Sequence, residues 1–244
     1  MGQSSPFPEG LRITRQNNHY EAYLDDDAKV CASTIVLANG ITYRRLPVEG
    51  IEQFEGNGIY YSVTRLEARY CAGQNVVIMG GGNSAGQAAM FLSRHGHHTY
   101  IVVRKSGLSE TMSSYLSTRI INDKRITLIT DTEIESVHGT NTLEKLVLRN
   151  NKKEEKLTID TTALFIMIGA VPNSKWLQGT LELDEKGFIK TGLQIDKASP
   201  YETWLPGVYA VGDIRCNSIK RVASAVGEGS VVVSYIHQYF AQRA

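Results

Sequence analysis

The chain has little cysteine. Its 244 residues include three, Cys31, Cys71 and Cys216, far apart in the sequence. Three scattered cysteines make no disulfide framework, and their spacing matches no zinc-ligand pattern. Cys31 and Cys71 lie beside apolar or strand-like segments, the usual setting of inert core thiols. Net charge is also scarce, because 26 basic residues face 25 acidic ones and leave a formal +1. Nothing in that balance favours nucleic acid or an anionic membrane surface. No apolar run reaches the roughly 18 residues of a membrane span. The opening MGQSSPFPEG has neither the basic region nor the apolar core of a signal peptide. Internal repeats and low-complexity segments are absent too. These absences lead to the expectation of a cytoplasmic protein with no nucleic-acid or membrane partner.

What is present is a globular composition, 42% hydrophobic and 21% charged, at a length that suits one large or two small domains. The most informative stretch is NVVIMGGGNSAGQAAMFLSRHG, residues 75 to 96. Asn75 to Met79 reads as a buried strand, and Ser84 to His95 as a helix. The junction, Gly80-Gly81-Gly82-Asn83-Ser84-Ala85, fits the dinucleotide pattern G-x-G-x-x-[GA]. Gly80 would permit the tight turn, Gly82 would let a pyrophosphate approach the backbone, and Ala85 would let the helix lie close on the strand. The helix N-terminus would hold the phosphates. For the glycines alone, an ordinary strand-turn is the alternative.

A second strand, His98 to Val103, ends about 20 residues past the motif, where a dinucleotide site selects its ribose. An acid there would suit NAD. This chain has Arg104-Lys105, which suits a 2′-phosphate and favours NADPH over NADH. A solvated basic loop is the plainer reading of that pair. His95, His97 and His98 crowd the helix end, where polar residues complement the helix dipole; they suggest no metal site.

Along the rest of the chain, residues 10 to 40 read as a small meander ending in a buried strand, Thr34 to Ala38. Residues 41 to 57 read as a connection, and VTRLEARYC as a helix. A helix at Ser113 to Asn122 precedes strands at ITLITD, TEIESVHG and LEKLVLRN. A buried strand follows at Ala163 to Ile168, then GFIKT, a turn-rich stretch, the strand GVYAVGD and a helix from about Ala223 to Phe240.

In order, these motifs resemble the thioredoxin reductase family of two-domain flavoproteins. GGGNSA resembles its NADPH motif, and TIVLANG its A-T-G strand end, with Asn39 for Thr. IGAVPN resembles its hinge motif, and GVYAVGDIRCNSIKRVASAVGEG its C-terminal flavin motif. The resemblance runs from about residue 10 to the end. It implies an α/β fold in which a Rossmann-like, mostly parallel NADPH-binding domain with a β-meander, residues 45–170, is inserted in an FAD-binding domain, residues 1–44 and 171–244. It implies FAD as well as NADPH. Gly80 to Ala85, Arg104, Lys105 and the hinge residues Ile168 and Gly169 would serve the cofactors. Gly212 and Asp213 would reach the FAD ribityl and pyrophosphate, and Arg221, Val222 and Ala223 would lie beside the isoalloxazine ring.

Two departures shape the expected function. Where the family carries C-x-x-C after a G-[VI]-x-Y lead, this chain has GIYY followed by Ser62-Val63-Thr64-Arg65. Without sulfurs the dithiol relay is unavailable there. The resemblance then implies a disulfide-less oxidoreductase passing hydride from NADPH to flavin and on to another acceptor, such as a protein electron carrier. Second, the family's opening FAD-binding βαβ unit has no counterpart, roughly 100 residues by the usual size of a half-domain. The FAD domain is expected to be incomplete and to be covered by a second copy or a complementing chain. A lesser departure is Gln87, preceded by Gly86, where the family usually has Glu. The competing reading is a module that binds NADPH without flavin turnover.

Overall fold

The structure, a computed structural model, describes residues 12–17, 19–24 and 28–243. The chain divides into two compact units. One consists of the residues up to Thr42 together with those from Ala170 onward, and the other of Tyr43–Gly169.

The first unit opens with an antiparallel meander of β1 (Arg12–Gln16), β2 (His19–Tyr23) and β3 (Lys29–Ala32). Period-two alternation turns Ile13 and Tyr20 inward, and the Tyr20 hydroxyl donates to the Pro206 carbonyl at 2.7 Å. The strand expected to end this meander exists as β4 (Ile35–Leu37), but it leaves the meander and pairs elsewhere. A short β5 (Ile41–Tyr43) and a buried turn carrying Ile51 and Phe54 occupy the stretch read as a plain connection.

The second unit continues with β6 (Ile59–Tyr60), α1 (Arg65–Tyr70), β7 (Asn75–Met79) and α2 (Asn83–Leu92). Then come β8 (His98–Val102), α3 (Ser114–Asn122) and β9 (Ile126–Ile129). An antiparallel trio follows, β10 (Thr132–Gly139), β11 (Leu143–Asn150) and β12 (Lys156–Asp160), and then β13 (Ala163–Ile166). The central sheet is parallel throughout, in the order β6-β13-β7-β8-β9. Strand β7 shows how the layers form. Val76 and Ile78 face a core shared with α1, α2 and α3, while Val77 and Met79 face a core shared with the antiparallel trio. A strand buried on both faces reads as a continuous apolar run for this reason. The unit therefore has the three layers expected of a Rossmann-like domain: helices, parallel sheet, meander.

The chain returns to the first unit through β14 (Ala170–Pro172), which pairs with β5. Strand β15 (Val208–Ala210) lies parallel to β4, with Val208 opposite Ile35. Helix α4 (Val222–Ala241) ends the described chain. Its inner side sets Val232 into a small cluster with Tyr209 and Val211. Its outer side leaves Val222, Val226, Val233 and Phe240 exposed.

Two further expectations are corrected. Cys31 is exposed rather than a core thiol, because β3 is the edge of a three-stranded meander; Cys71 is buried as expected. Helix α2 stops at Leu92, not His95, where His95 and Gly96 both donate to the Leu92 carbonyl in a tight turn. No helix among the described residues is long and apolar enough to cross a membrane.

Candidate functional site

The β7–α2 junction is shaped by what its glycines touch. Gly80 has φ 147°, and a Cβ there would lie 2.4 Å from the Met167 carbonyl oxygen. That oxygen is fixed, since the Met167 amide donates to Met79 at 2.8 Å. Gly80 is thus required by the close approach of the chain just past the ends of the paired strands β7 and β13. Gly82 differs. Its φ of −90° suits any residue, and a Cβ would find only the Thr111 carbonyl oxygen, at 3.9 Å. The chain leaves this space open above the N-terminus of α2, where Asn83 and Ser84 are exposed and, among the described residues, no side chain caps the first N–H groups. Orphan helix donors and the dipole's positive end suit an anion. Ala85 is fully buried in the helix-side core.

The structure also shows residues that the motif did not point to. Thr111 donates to the Gly81 carbonyl at 2.7 Å, and the Ser113 amide donates to Asn83 Oδ1 at 2.9 Å. The loop after β8 is therefore tied to the glycine turn, and one face of Asn83 is spent on that tie. At Gly86 the helices α2 and α3 approach closely: a Cβ would meet Leu116 Cδ2 at 2.6 Å. In that same loop Lys105 is ion-paired with Glu110, whose carboxyl is held below its ordinary range by the ammonium. Arg104 is exposed and makes no hydrogen bond or ion pair among the described residues. Of the two cations expected at a 2′-phosphate, Arg104 is the one at liberty to bind it. The three histidines go to three different partners: His95 to the Phe91 carbonyl, His97 to Asn75, His98 to Thr127.

The segment aligned with the missing dithiol has a structural job. Thr64 caps α1, accepting the Leu66 amide at 3.1 Å, while the Glu67 carboxylate accepts the Thr64 amide at 2.8 Å. The nearest sulfur in sequence, Cys71, has its thiol pushed up to about 11 by burial, so it is neutral at physiological pH and no nucleophile.

In the first unit, the turn after β15 is built around Gly212 at φ 72°. Its amide donates to Glu228 Oε2 at 2.6 Å, and Arg215 forks onto the same carboxylate at 2.6 and 3.3 Å. The Arg215 guanidinium also lies over the Tyr201 ring. Lys220 clamps the loop from outside, donating to the carbonyls of Asp213 and Arg215 at 2.7 and 3.0 Å. Within this scaffold Asp213 Oδ1 is buried and has no hydrogen-bond partner among the described residues. An orphaned buried acceptor costs about 1–3 kcal/mol unless a donor arrives. The hydroxyls of a polyol chain are such donors. Arg221, Val222 and Ala223, at the start of α4, are exposed. Ile168 packs at the rim of the meander-side core, and Gly169, at φ 95°, links β13 to β14 with open space where a Cβ would sit.

A parallel sheet with a glycine turn at a helix N-terminus in one unit, and a Gly-Asp turn in the other, define an α/β protein of Rossmann-like fold in two units. The comparison with known proteins sharpens this. The profile of the pyridine nucleotide-disulphide oxidoreductases matches residues 8–229, and the chain belongs to that family. It is 29% identical over 238 residues to the "34.2 kDa protein in rubredoxin operon" of Clostridium pasteurianum, covering 94% of this chain and 74% of that protein. It is 31% identical over 217 residues to the thioredoxin reductase of Mycoplasmopsis pulmonis, covering 86% and 66% respectively. Among solved structures, the thioredoxin reductase from Giardia duodenalis superimposes with a TM-score of 0.82 at 24% identity, over 95% of this chain and 74% of that one. The chain spans about two thirds of the length of the thioredoxin reductases it matches.

Proposed function

We propose that this chain carries the nicotinamide- and flavin-binding parts of an NADPH-dependent FAD oxidoreductase that delivers electrons to an acceptor other than a dithiol. The observation that carries the flavin half is Asp213, whose buried, unpartnered oxygen is held in place by Gly212, Arg215 and Glu228. The nicotinamide half rests on the open space at Gly82 and the uncapped start of α2. When bound, NADPH supplies a hydride and FAD accepts it; the protein contributes position and electrostatics. In this reading Gly81 to Ala85 hold the pyrophosphate, Arg104 with Lys105 the 2′-phosphate, and Asp213 the ribityl hydroxyls. Ile168 and Gly169 border the cofactors, and Arg221 to Ala223 flank the flavin ring. Residues 62 to 65 carry no sulfur with which to take electrons, and Thr64 with Glu67 caps α1 there. A protein electron carrier is the acceptor this leaves open. The apolar outer face of α4 is where a second copy or a complementing polypeptide would be buried, in a cytoplasmic setting.

A second reading, a module that binds NADPH without flavin, is favoured by the exposure of Val222, 83%, beside the position assigned to the ring. The flavin spectrum of the purified chain separates the two. Bound flavin that NADPH bleaches supports the enzyme, and a colourless protein that binds NADPH supports the module.

Two variants test the nicotinamide site. Gly82→Ala should cost stability no more than about 1 kcal/mol, the usual preference of an N-cap for glycine over alanine, because the new methyl touches nothing closely. It should weaken NADPH binding at least tenfold, about 1.4 kcal/mol, by filling the phosphate's space. Unchanged affinity by calorimetric titration would remove the site from Gly82. Arg104→Ala should lose most of the preference for NADPH over NADH, a contact of about 1.5–3 kcal/mol before screening. A mutant that keeps the wild-type ratio of affinities would show that another group selects the phosphate.

A further inference from the structure

The sequence spacing of the cysteines gives no zinc pattern, but the register of the meander creates a cluster that the spacing hides. His19 and Glu21 stand two residues apart on β2, so their side chains share one face. Cys31 on β3 is the cross-strand partner of Glu21 and joins the same face. The nearest ligand atoms of the three lie within 4.8 Å of one another, with His19 Nε2 to Glu21 Oε1 at 3.8 Å. We propose that His19, Glu21 and Cys31 form a binding site for a thiophilic divalent cation, zinc fitting best, with a fourth position left to water.

The donor set argues for the class of metal. A tetrahedral zinc with nitrogen and oxygen at about 2.0–2.2 Å and sulfur at about 2.3 Å needs its donors roughly 3.3–3.8 Å apart. Side-chain adjustments of about an ångström close this cluster to that size. Imidazole with thiolate disfavours magnesium and calcium, which prefer oxygen alone. The carboxylate is already prepared. Glu21 is buried, its Oε2 accepts from the Tyr23 hydroxyl at 2.9 Å, and its Oε1 faces the cluster. Orientation of a ligand by an outer hydrogen bond is the usual support of a metal site. His19 and Cys31 provide the approach, since His19 is partly exposed and Cys31 is exposed.

A cation is already attracted to this carboxylate, because the Lys29 ammonium is hydrogen-bonded to Glu21 Oε1. Lys29 is therefore the metal's competitor. A divalent ion would displace it, the Cys31 thiol would release its proton to solvent, and thiolate, carboxylate and metal would sum to zero charge. The ion would also tie β2 to β3 through side chains. None of this depends on flavin or nicotinamide.

Cobalt(II) is the probe, added to the reduced full chain, because a sulfur–cobalt charge-transfer band reports the thiolate ligand directly. Wild type should bind one cobalt per chain with that band, and zinc should displace it. Cys31→Ser should abolish the band, whereas Cys71→Ser and Cys216→Ser should keep it. His19→Ala should weaken binding at least tenfold. Lys29→Gln should tighten it at least threefold by removing the competitor, a response that loose surface binding would not give. The changes at His19, Lys29, Cys31 and Cys216 lie on exposed or partly exposed side chains, Cys71 is buried, and far-UV circular dichroism verifies the fold of every variant. A wild-type titration without the band would overturn the proposal, as would a band that survives Cys31→Ser, or a Lys29→Gln variant that binds no tighter.

Discussion

Glu228→Ala is expected to destabilise the first unit by about 3–5 kcal/mol, the usual effect of removing one partner from a buried, hydrogen-bonded ion pair. The side chains of Arg215 and Glu228 are only 17% and 13% exposed, so solvent screens them little. The substitution would strand the guanidinium and at the same time orphan the Gly212 amide, which Glu228 holds at 2.6 Å. Both tryptophans, Trp176 and Trp204, belong to the first unit, so their fluorescence in a urea titration reports that unit without the other. Replacing the pair together, with Arg215→Met and Glu228→Leu, should recover part of the loss, because no charge is then left unpaired. A Glu228→Ala loss below about 1 kcal/mol would mean the carboxylate is not what holds the turn.

Gly80→Ala is expected to destabilise the second unit by roughly 2–5 kcal/mol, combining a left-handed backbone strain with overpacking. The added methyl would press on the Met167 carbonyl at 2.4 Å, and both strands there are pinned by hydrogen bonds, Met167 to Met79 and Gly80 to Val102. No tryptophan reports this unit, so the measurement is far-UV circular dichroism or hydrogen exchange on β7 and β13. The contrast with Gly82→Ala is the informative part, since two glycines two residues apart have opposite reasons to be there. One answers to the protein's own strands and the other to empty space. Equal stability of the Gly80 and Gly82 variants would falsify that division.

That contrast also marks how far the sequence could be read. The strand, glycine turn and helix at residues 75 to 92 were legible because local rules govern them: a β-branched run, then Gly, then helical periodicity. The double-faced burial of β7 follows from the same run. Strand β12 was missed because only Ile159 of Lys156–Asp160 is buried, so the segment shows no apolar stripe. Cys31 was misjudged because β3 is an edge, and an edge strand's apolar residues look like core ones until the partner count is known. The pairing of β4 with β15 could not be read at all, since the strands meet from opposite ends of the chain. At the sites, Gly212 and Asp213 stood out as a motif, but the Arg215–Glu228 fork that braces them spans 13 residues and has no local signature. Likewise Thr111 and Gly86 matter through contacts with other segments, which spacing does not reveal.

The second unit is one uninterrupted stretch, Tyr43 to Gly169, while the first is made of two separated ones. This arrangement imposes an order on folding. For β4 to meet β15 before the insert has folded, the chain must close a loop that includes those 127 residues, at an entropic cost of about 4 kcal/mol. Once the insert has folded, its own ends are already together, with the Arg44 amide donating to the Gly169 carbonyl at 3.1 Å. The long loop then behaves as a short one. The insert acts as a clasp for its host, so damage at Gly80 should slow the host's refolding, whereas damage at Glu228 should leave the insert's refolding rate unchanged.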